Sequence, residues 1–350
     1  MGPYNRDMAE LKPILIIGPT AGGKSDLAVE LAERLADAGA GGGEVVGADA
    51  FQVYRQLDAG TAKPDQSLRQ RAVHHLIDIA EPTERFTVHD WLAKAHEAIG
   101  AIQSRGKRPI VVGGTNLYMK ALLDGMFDGP GQDAGFRASL DGIDTPSLHA
   151  RLMAVDAETA GRVKPMDRQR VVRALEVYEL TGQPISALQT QWEGEESKGI
   201  DATLIGLRWE AEAINPRINL RVKAMFYPDK VEPELAAAVC INGESLIDEV
   251  SRLHAVGCFE PVQVDGETTV PNQAREALGY KQLLACMEGT DDKIASLDEA
   301  FEKTKVLTRR FAKQQRTWLK RFADTHWIDG PQYKAEPGET VDALVAMLSE

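Results

Sequence analysis

The chain has 350 residues, 43% hydrophobic and 27% charged, a composition ordinary for one large globular domain or two modest ones. Its apolar runs, such as Ile14 to Ile17 and Ile110 to Val112, fall far short of the roughly 18 residues that a membrane span requires, so no transmembrane helix is expected. A formal net charge of −13 argues against indiscriminate coating of nucleic acid, and any RNA contact must come from local cationic patches.

In chain order, the opening MGPYNRDMAE is polar, lacks an apolar signal core and has Arg6 where a myristoylation signal needs Ser or Thr. The cytoplasm is therefore the expected location. The first third then alternates apolar runs with amphipathic ones: Pro13 to Ile17, Lys24 to Ala38, Glu44 to Ala48, Thr87 to Ser104 and Pro109 to Val112. This alternation predicts βαβ units and a parallel sheet. From about Gly125 to Gly199 the strand signals fade into helical stretches broken by Gly and Pro. A strand signal returns at Thr203 to Trp209, long helical patterns follow to Phe322, and a short strand at His326 to Ile328 precedes a helix from Glu339 to Ser349. The expected fold is α/β: a parallel sheet flanked by helices over 10–124 and 200–350, with a mainly helical insertion over 125–199. Cys240, Cys258 and Cys286 are widely spaced without a Cys-x-x-Cys pair, which points to reduced thiols instead of a disulfide framework or zinc site.

The strand at Ile14 to Ile17 runs into Gly18-Pro19-Thr20-Ala21-Gly22-Gly23-Lys24-Ser25 and then an amphipathic helix, the order of a P-loop. The glycines let successive backbone N–H groups turn around an anion, and the helix N-terminus adds partial positive charge. Lys24 can reach the phosphates and Ser25 can ligate Mg²⁺. The pattern predicts a diphosphate-containing ligand and also occurs in ATP-binding proteins, so by itself it does not name the chemistry. Nucleotide hydrolases of this kind usually place a Mg²⁺-binding Asp at the end of a buried strand. The strand Pro109 to Val112 ends instead in Gly113-Gly114-Thr115. Asp49, after Val45-Val46-Gly47-Ala48, lies at the carboxyl edge where α/β sheets bind ligands. It is the best-placed acid in the chain, and a second-sphere Mg²⁺ ligand and a helix N-cap are the plainer roles open to it.

Gly47-Ala48-Asp49-Ala50-Phe51-Gln52-Val53-Tyr54, with Gly60-Thr61-Ala62-Lys63-Pro64 beyond it, resembles the signature of tRNA dimethylallyltransferases. The likeness continues through His74-His75-Leu76-Ile77-Asp78-Ile79, Gly113-Gly114-Thr115 with Leu117-Tyr118, Asp167 to Tyr178, Thr181-Gly182-Gln183-Pro184 and Ala277-Leu278-Gly279-Tyr280. It ends in Thr308-Arg309-Arg310-Phe311-Ala312-Lys313 with Gln315, Thr317 and Trp318, so it covers nearly the whole chain. The resemblance implies a P-loop NTPase-like sheet used for transfer of a dimethylallyl group from its diphosphate. The acceptor would be N6 of the adenosine 3′ of the anticodon in tRNA, and the reaction would need Mg²⁺ and no nucleotide hydrolysis.

By the same resemblance Asp49 is the general base, a role typically worth about 10²–10⁴ in rate. Lys24, Thr115 and Arg221 complete the catalytic set, with Arg217 as the alternative arginine on the diphosphate; Thr20 and Thr115 also suit packing hydroxyls. The tRNA contacts implied are Asp49, Ala50, Phe51, Gln52 and Thr115, together with Arg137, Gln169, Arg170, Val171, Val172 and Arg173. Arg309, Lys313 and Arg316 join them from a segment, Lys303 to Arg321, that carries eight basic residues. On a helix these three and Lys320 form a stripe about 200° from Leu307, Phe311, Trp318 and Phe322, so the stripe is expected to face outward. The adenine must leave the anticodon-loop stack to react. A monomer is expected. His74 and His75 diverge on a strand or a helix, so packing suits them better than a metal.

Three substitutions depart from the pattern: Ala50 stands where Ser is usual, Asn116 where Gly is common, and Gln314 where Arg is usual. The largest departure is about 18–20 extra residues around Tyr227 to Ser245, for which a surface elaboration is the default. The chief rivals are a P-loop kinase and an enzyme that prenylates a free adenine nucleotide, which would need no tRNA platform.

Overall fold

The computed structural model describes residues 11–126, 129–189, 199–264, 268–270 and 272–349. It divides into two compact units, one of residues up to Met119 together with those from Asp201 onward, the other Lys120–Ile200.

In the larger unit, Ile14–Ile17 forms β1, with every residue buried as expected of a strand covered on both faces. Helix α1, Lys24–Asp37, buries Leu27, Ala28, Leu31 and Leu35 along one face, and Asp26 in its first turn and Arg34 in its last complement its dipole. Strand β2, Gly43–Gly47, is followed by a short helix α2, Gln66–Arg71, and a two-residue strand β3, His74–His75. Helix α3, Val88–Ser104, opens with a capping box between Thr87 and Asp90. Strand β4 is Arg108–Val112, and helix α4, Asn116–Asp124, runs on into the smaller unit.

The smaller unit carries α5 (Ala134–Ser139), α6 (Thr145–Val155), α7 (Ala157–Arg162), α8 (Arg168–Thr181) and α9 (Ile185–Leu188). Asp133, Asp144, Asp156 and Asp167 each cap one of the first four of these helices by accepting a backbone N–H. Leu140, Leu148, Leu152, Val171, Leu175 and Ile185 belong to its core.

The chain returns at β5, Thr203–Arg208, followed by α10 (Ala211–Phe226), α11 (Pro233–Val239) and α12 (Leu246–Ala255). An antiparallel hairpin of β6 (Val262–Val264) and β7 (Thr268–Val270) interrupts the helical run expected there. Then come α13 (Tyr280–Glu288), α14 (Leu297–Leu319), β8 (His326–Asp329), α15 (Gly330–Ala335) and α16 (Pro337–Ser349). The six-stranded sheet has the order β3-β2-β4-β1-β5-β8, and every neighbouring pair is parallel. Strands β2, β4 and β1 are adjacent, so the loops at their carboxyl ends, which hold Asp49, Thr115 and the P-loop, share one edge.

At the other end of β2, Glu44 is nearly enclosed and paired with His75, Arg105 and Lys107. Burial pushes its carboxyl up, but these hydrogen bonds outweigh burial and hold it down at about 2. The segment Tyr227 to Ser245, for which a surface elaboration is the default expectation, is partly built into the core. Val239 and Cys240 are buried, and the Asn242 amide donates to Asp58 at 2.5 Å. Asp58 in turn accepts from the fully buried Lys63 ammonium, which also donates to Asp78 and to the Tyr54 carbonyl.

Candidate active site

The P-loop is shaped by bonds that leave little of its backbone free to drift. Gly22 N–H donates to the Pro19 carbonyl at 3.2 Å, and the Lys24 ammonium donates to that same carbonyl at 2.8 Å. Ala21 adopts φ 59°, a left-handed backbone that costs a non-glycine residue roughly 1–2 kcal/mol. Gly23 begins α1 at φ 91°, where a Cβ would also meet Lys334. The N–H groups in the first turn of α1 have no partner within the helix.

Three side chains hold this loop from outside, and a fourth holds the first turn of the helix that follows it. Gln315 of α14, almost wholly buried, accepts the Thr20 N–H at 2.8 Å and donates to the Gly114 carbonyl at 2.9 Å, joining the P-loop to the β4 loop. Arg217 of α10 donates to the Ala21 carbonyl at 3.0 Å and lies over the Trp209 ring at 5.1 Å. Trp209 donates its indole N–H to the Gly22 carbonyl at 3.1 Å. Lys334 of α15 pairs with Asp26.

The β2 and β4 loops are stitched together in the same manner. Thr115 N–H donates to the Ala48 carbonyl at 3.2 Å, and the Thr115 hydroxyl accepts the Ala50 N–H at 3.0 Å. Gly113 packs so closely on the Ala48 carbonyl that a Cβ there would lie 2.0 Å from its oxygen. Asp49 uses Oδ1 to accept Phe51 N–H at 2.9 Å and Gln52 N–H at 3.3 Å, closing a turn that no helix follows, so it is not the helix N-cap that the sequence also allowed. Its Oδ2 lies on the Gly114 side. Gln52 donates its amide to the Thr61 and Ala62 carbonyls and so ties this turn to the Lys63 network.

Electrostatically, Lys24, Arg221 and Asp49 form one cluster. Burial lowers the Lys24 ammonium to about 7, helped by the positive charge of Arg221 and opposed by Asp49. Burial likewise lowers Arg221, and Asp49 opposes it. Mg²⁺ prefers one or two protein oxygens plus waters and substrate phosphates. Ser25, beside Lys24 in the first turn of α1, offers one such oxygen. Among the described residues no group of three or more His, Cys, Asp or Glu side chains could hold an ion. That donor set fits an ion carried chiefly by a bound diphosphate.

The expected RNA-contacting residues divide sharply. In the smaller unit Gln169 and Arg170 are exposed, with Arg170 paired to Asp167 at 3.5 Å. Val171 is fully buried and Val172 nearly so, because their face of α8 packs into the unit's core, and their side chains are removed from the set of RNA contacts. Arg137 and Arg173 are engaged internally: both donate to the fully buried Glu176, and Arg173 also reaches the Pro130 and Gly131 carbonyls.

The outward stripe expected on α14 also needs correction. Lys313 is exposed, but Arg309 bonds Asn219 and Arg316 donates to the Trp209 carbonyl, while Phe311 is 38% exposed. The buried face runs along Ala300, Thr304, Ala312, Gln315 and Leu319, overlapping the apolar stripe and turned from it toward the basic one. His74 and His75, for their part, bond the Ala72 carbonyl and Glu44 from the sheet edge.

A protein-family model described as IPP transferase matches residues 52–322. The tRNA dimethylallyltransferase 1 of Citrifermentans bemidjiense is 40% identical over 322 residues, covering 92% of this chain and 93% of that protein. The solved tRNA delta(2)-isopentenylpyrophosphate transferase of Staphylococcus epidermidis is 29% identical, with a TM-score of 0.62 over 97% of this chain and 99% of that one. A eukaryotic dimethylallyltransferase acting on tRNA is 24% identical and has a TM-score of 0.71 over 94% of this chain and 77% of that one, which supports the fold alone. The sheet described above is therefore the P-loop NTPase-like sheet that the sequence predicted. With the family model spanning most of its length and a curated relative matching nearly end to end, the chain belongs to the IPP transferase family.

Proposed function

We propose that this chain transfers a dimethylallyl group from dimethylallyl diphosphate to N6 of the adenosine 3′ of the anticodon in tRNA, releasing diphosphate. The observation that carries the reading is the adjacency of three loops: a phosphate cradle with Lys24, a loop ending in Thr115 where a hydrolase acid is expected, and a loop presenting Asp49. Lys24, Arg221 and Arg217 bring positive charge to the P-loop, where negative charge grows on the leaving group. Asp49, steadied through Oδ1, has Oδ2 to accept a hydrogen bond and then a proton from the adenine amino group as the new carbon–nitrogen bond forms. The carbon–oxygen bond to diphosphate breaks in the same step, and its electron pair leaves on the diphosphate. Mg²⁺, held by Ser25 and the diphosphate, would neutralise part of that charge when bound.

The tRNA would meet exposed polar groups, Gln169 and Arg170 in one unit and Lys313 in the other. Phosphate contacts of this kind position RNA, while unstacked loop bases supply sequence reading. The test is incubation with unmodified tRNA, Mg²⁺ and dimethylallyl diphosphate, followed by mass mapping of the digested RNA. A dimethylallyl group on the adenosine beside the anticodon is the expected product. An unmodified tRNA alongside a prenylated free adenine nucleotide would contradict the reading.

A further inference from the structure

Trp209 sits one residue beyond β5, is 5% exposed, and touches the site through three chemically distinct groups. Its indole N–H donates to the Gly22 carbonyl at 3.1 Å. Its ring carries the Arg217 guanidinium at 5.1 Å, and Arg217 itself bonds the Ala21 carbonyl. Its backbone carbonyl accepts Arg316 Nη1 at 3.2 Å. The ring has no slack: a Cβ on Gly330 would come within 2.1 Å of the indole nitrogen and one on Gly22 within 3.2 Å.

The consequence follows from peptide geometry. In a planar trans peptide the C=O and the following N–H point in opposite directions. Holding the Gly22 carbonyl against Trp209 therefore turns the Gly23 N–H to the other side, where a P-loop gathers its donors around an anion. The neighbouring Ala21 carbonyl is held by Arg217, whose guanidinium is in turn supported by the same ring. We infer that Trp209 is a positioning residue of the diphosphate cradle, setting the Gly22–Gly23 peptide and the Arg217 guanidinium for substrate without touching it. This rests on the reading that the P-loop holds a diphosphate.

The experiment compares full-length wild type with Trp209→Phe, which keeps a ring under Arg217 but removes the N–H, and with Trp209→Leu, which removes both. Pyrophosphate binding is measured by calorimetry, and KM for dimethylallyl diphosphate and for tRNA are measured separately. Loss of one neutral hydrogen bond should weaken pyrophosphate binding and raise KM for dimethylallyl diphosphate by about threefold to tenfold in Trp209→Phe. Trp209→Leu should weaken both further, by about another twofold to fivefold. KM for tRNA should stay within about twofold, since the contact to Arg316 is made by a backbone carbonyl that both variants retain. Unchanged pyrophosphate binding in Trp209→Phe would overturn the inference, and so would a parallel rise in both KM values accompanied by a lower melting temperature. A wild-type chain that neither binds pyrophosphate nor transfers a prenyl group overturns the diphosphate reading itself, an outcome separate from any difference among the variants.

Discussion

Gln315 accepts the backbone N–H of Thr20 at 2.8 Å although the two residues lie at opposite ends of the sequence. The same amide donates to the Gly114 carbonyl, so one side chain from α14 fixes the spacing between the P-loop and the loop that presents Thr115. Gln315→Leu would leave both backbone groups without their partner, at about 1–3 kcal/mol each. The melting temperature should fall, and KM for dimethylallyl diphosphate should rise more than KM for tRNA. Wild-type values for both would show that the two loops hold their spacing without this bridge.

Asp49→Ala should leave tRNA binding nearly intact while cutting turnover by about 10²–10⁴, the usual contribution of a general base. Single-turnover kinetics with prebound tRNA separate the two effects. Turnover near the wild-type level would remove Asp49 as the base and leave it only the turn-capping bonds to Phe51 and Gln52.

Lys24 yields a prediction in which stability and function oppose each other. It titrates near 10.5 when unfolded and at about 7 in the fold, so between those values the unfolded chain holds a proton that the folded chain lacks. Stability from this group therefore rises with pH across that window, and the penalty of a desolvated ammonium reaches its full value only below pH 7. Lys24→Met should raise the melting temperature of the ligand-free chain most near pH 6, with the advantage fading toward pH 10. The same variant should lose pyrophosphate binding. A melting temperature equal to or below that of the wild type at pH 6 would count against a destabilising buried ammonium.

Two arginines on one turn of α8 should behave differently. Arg173 is tied to the buried Glu176, whereas Arg170 is exposed and loosely paired. Glu176→Ala removes the carboxylate that Arg137 and Arg173 share, leaving Arg173 its bonds to the Pro130 and Gly131 carbonyls, and should destabilise the smaller unit by about 1–3 kcal/mol. Arg170→Ala should change stability by less than about 0.5 kcal/mol yet weaken tRNA binding and reduce its salt dependence by about one unit of slope. Thermal melts and binding titrations at several salt concentrations check both. Unaltered tRNA binding in Arg170→Ala would remove it from the RNA contact set.

How far this could be read from residues alone depended on how each element is buried. Strands β1, β4 and β5 are covered on both faces and so announce themselves as continuous apolar runs. The two-residue β3 carries too little pattern to register. Strands β6 and β7, of three residues each, are too short for an alternation to stand out from the helical patterns around them. The P-loop, Asp49 and Thr115 were legible because their chemistry is local and their spacing fixed. Gln315 and Trp209 carry no local mark of the site, since their contacts join segments far apart in sequence. Gln315 also lies on a buried face built largely of small and polar residues, which no apolar stripe marks. For Trp209 the available signal was a lone large aromatic immediately past a strand that flanks the P-loop strand.

A P-loop that cradles a leaving group and one that hydrolyses a nucleotide release different products. The most direct measurement counts diphosphate released against dimethylallyl incorporated into tRNA, with ATP present in the same reaction. One diphosphate per prenylated adenosine, with ATP unconsumed, is the result predicted. Phosphate released from ATP with no prenylated tRNA would contradict it.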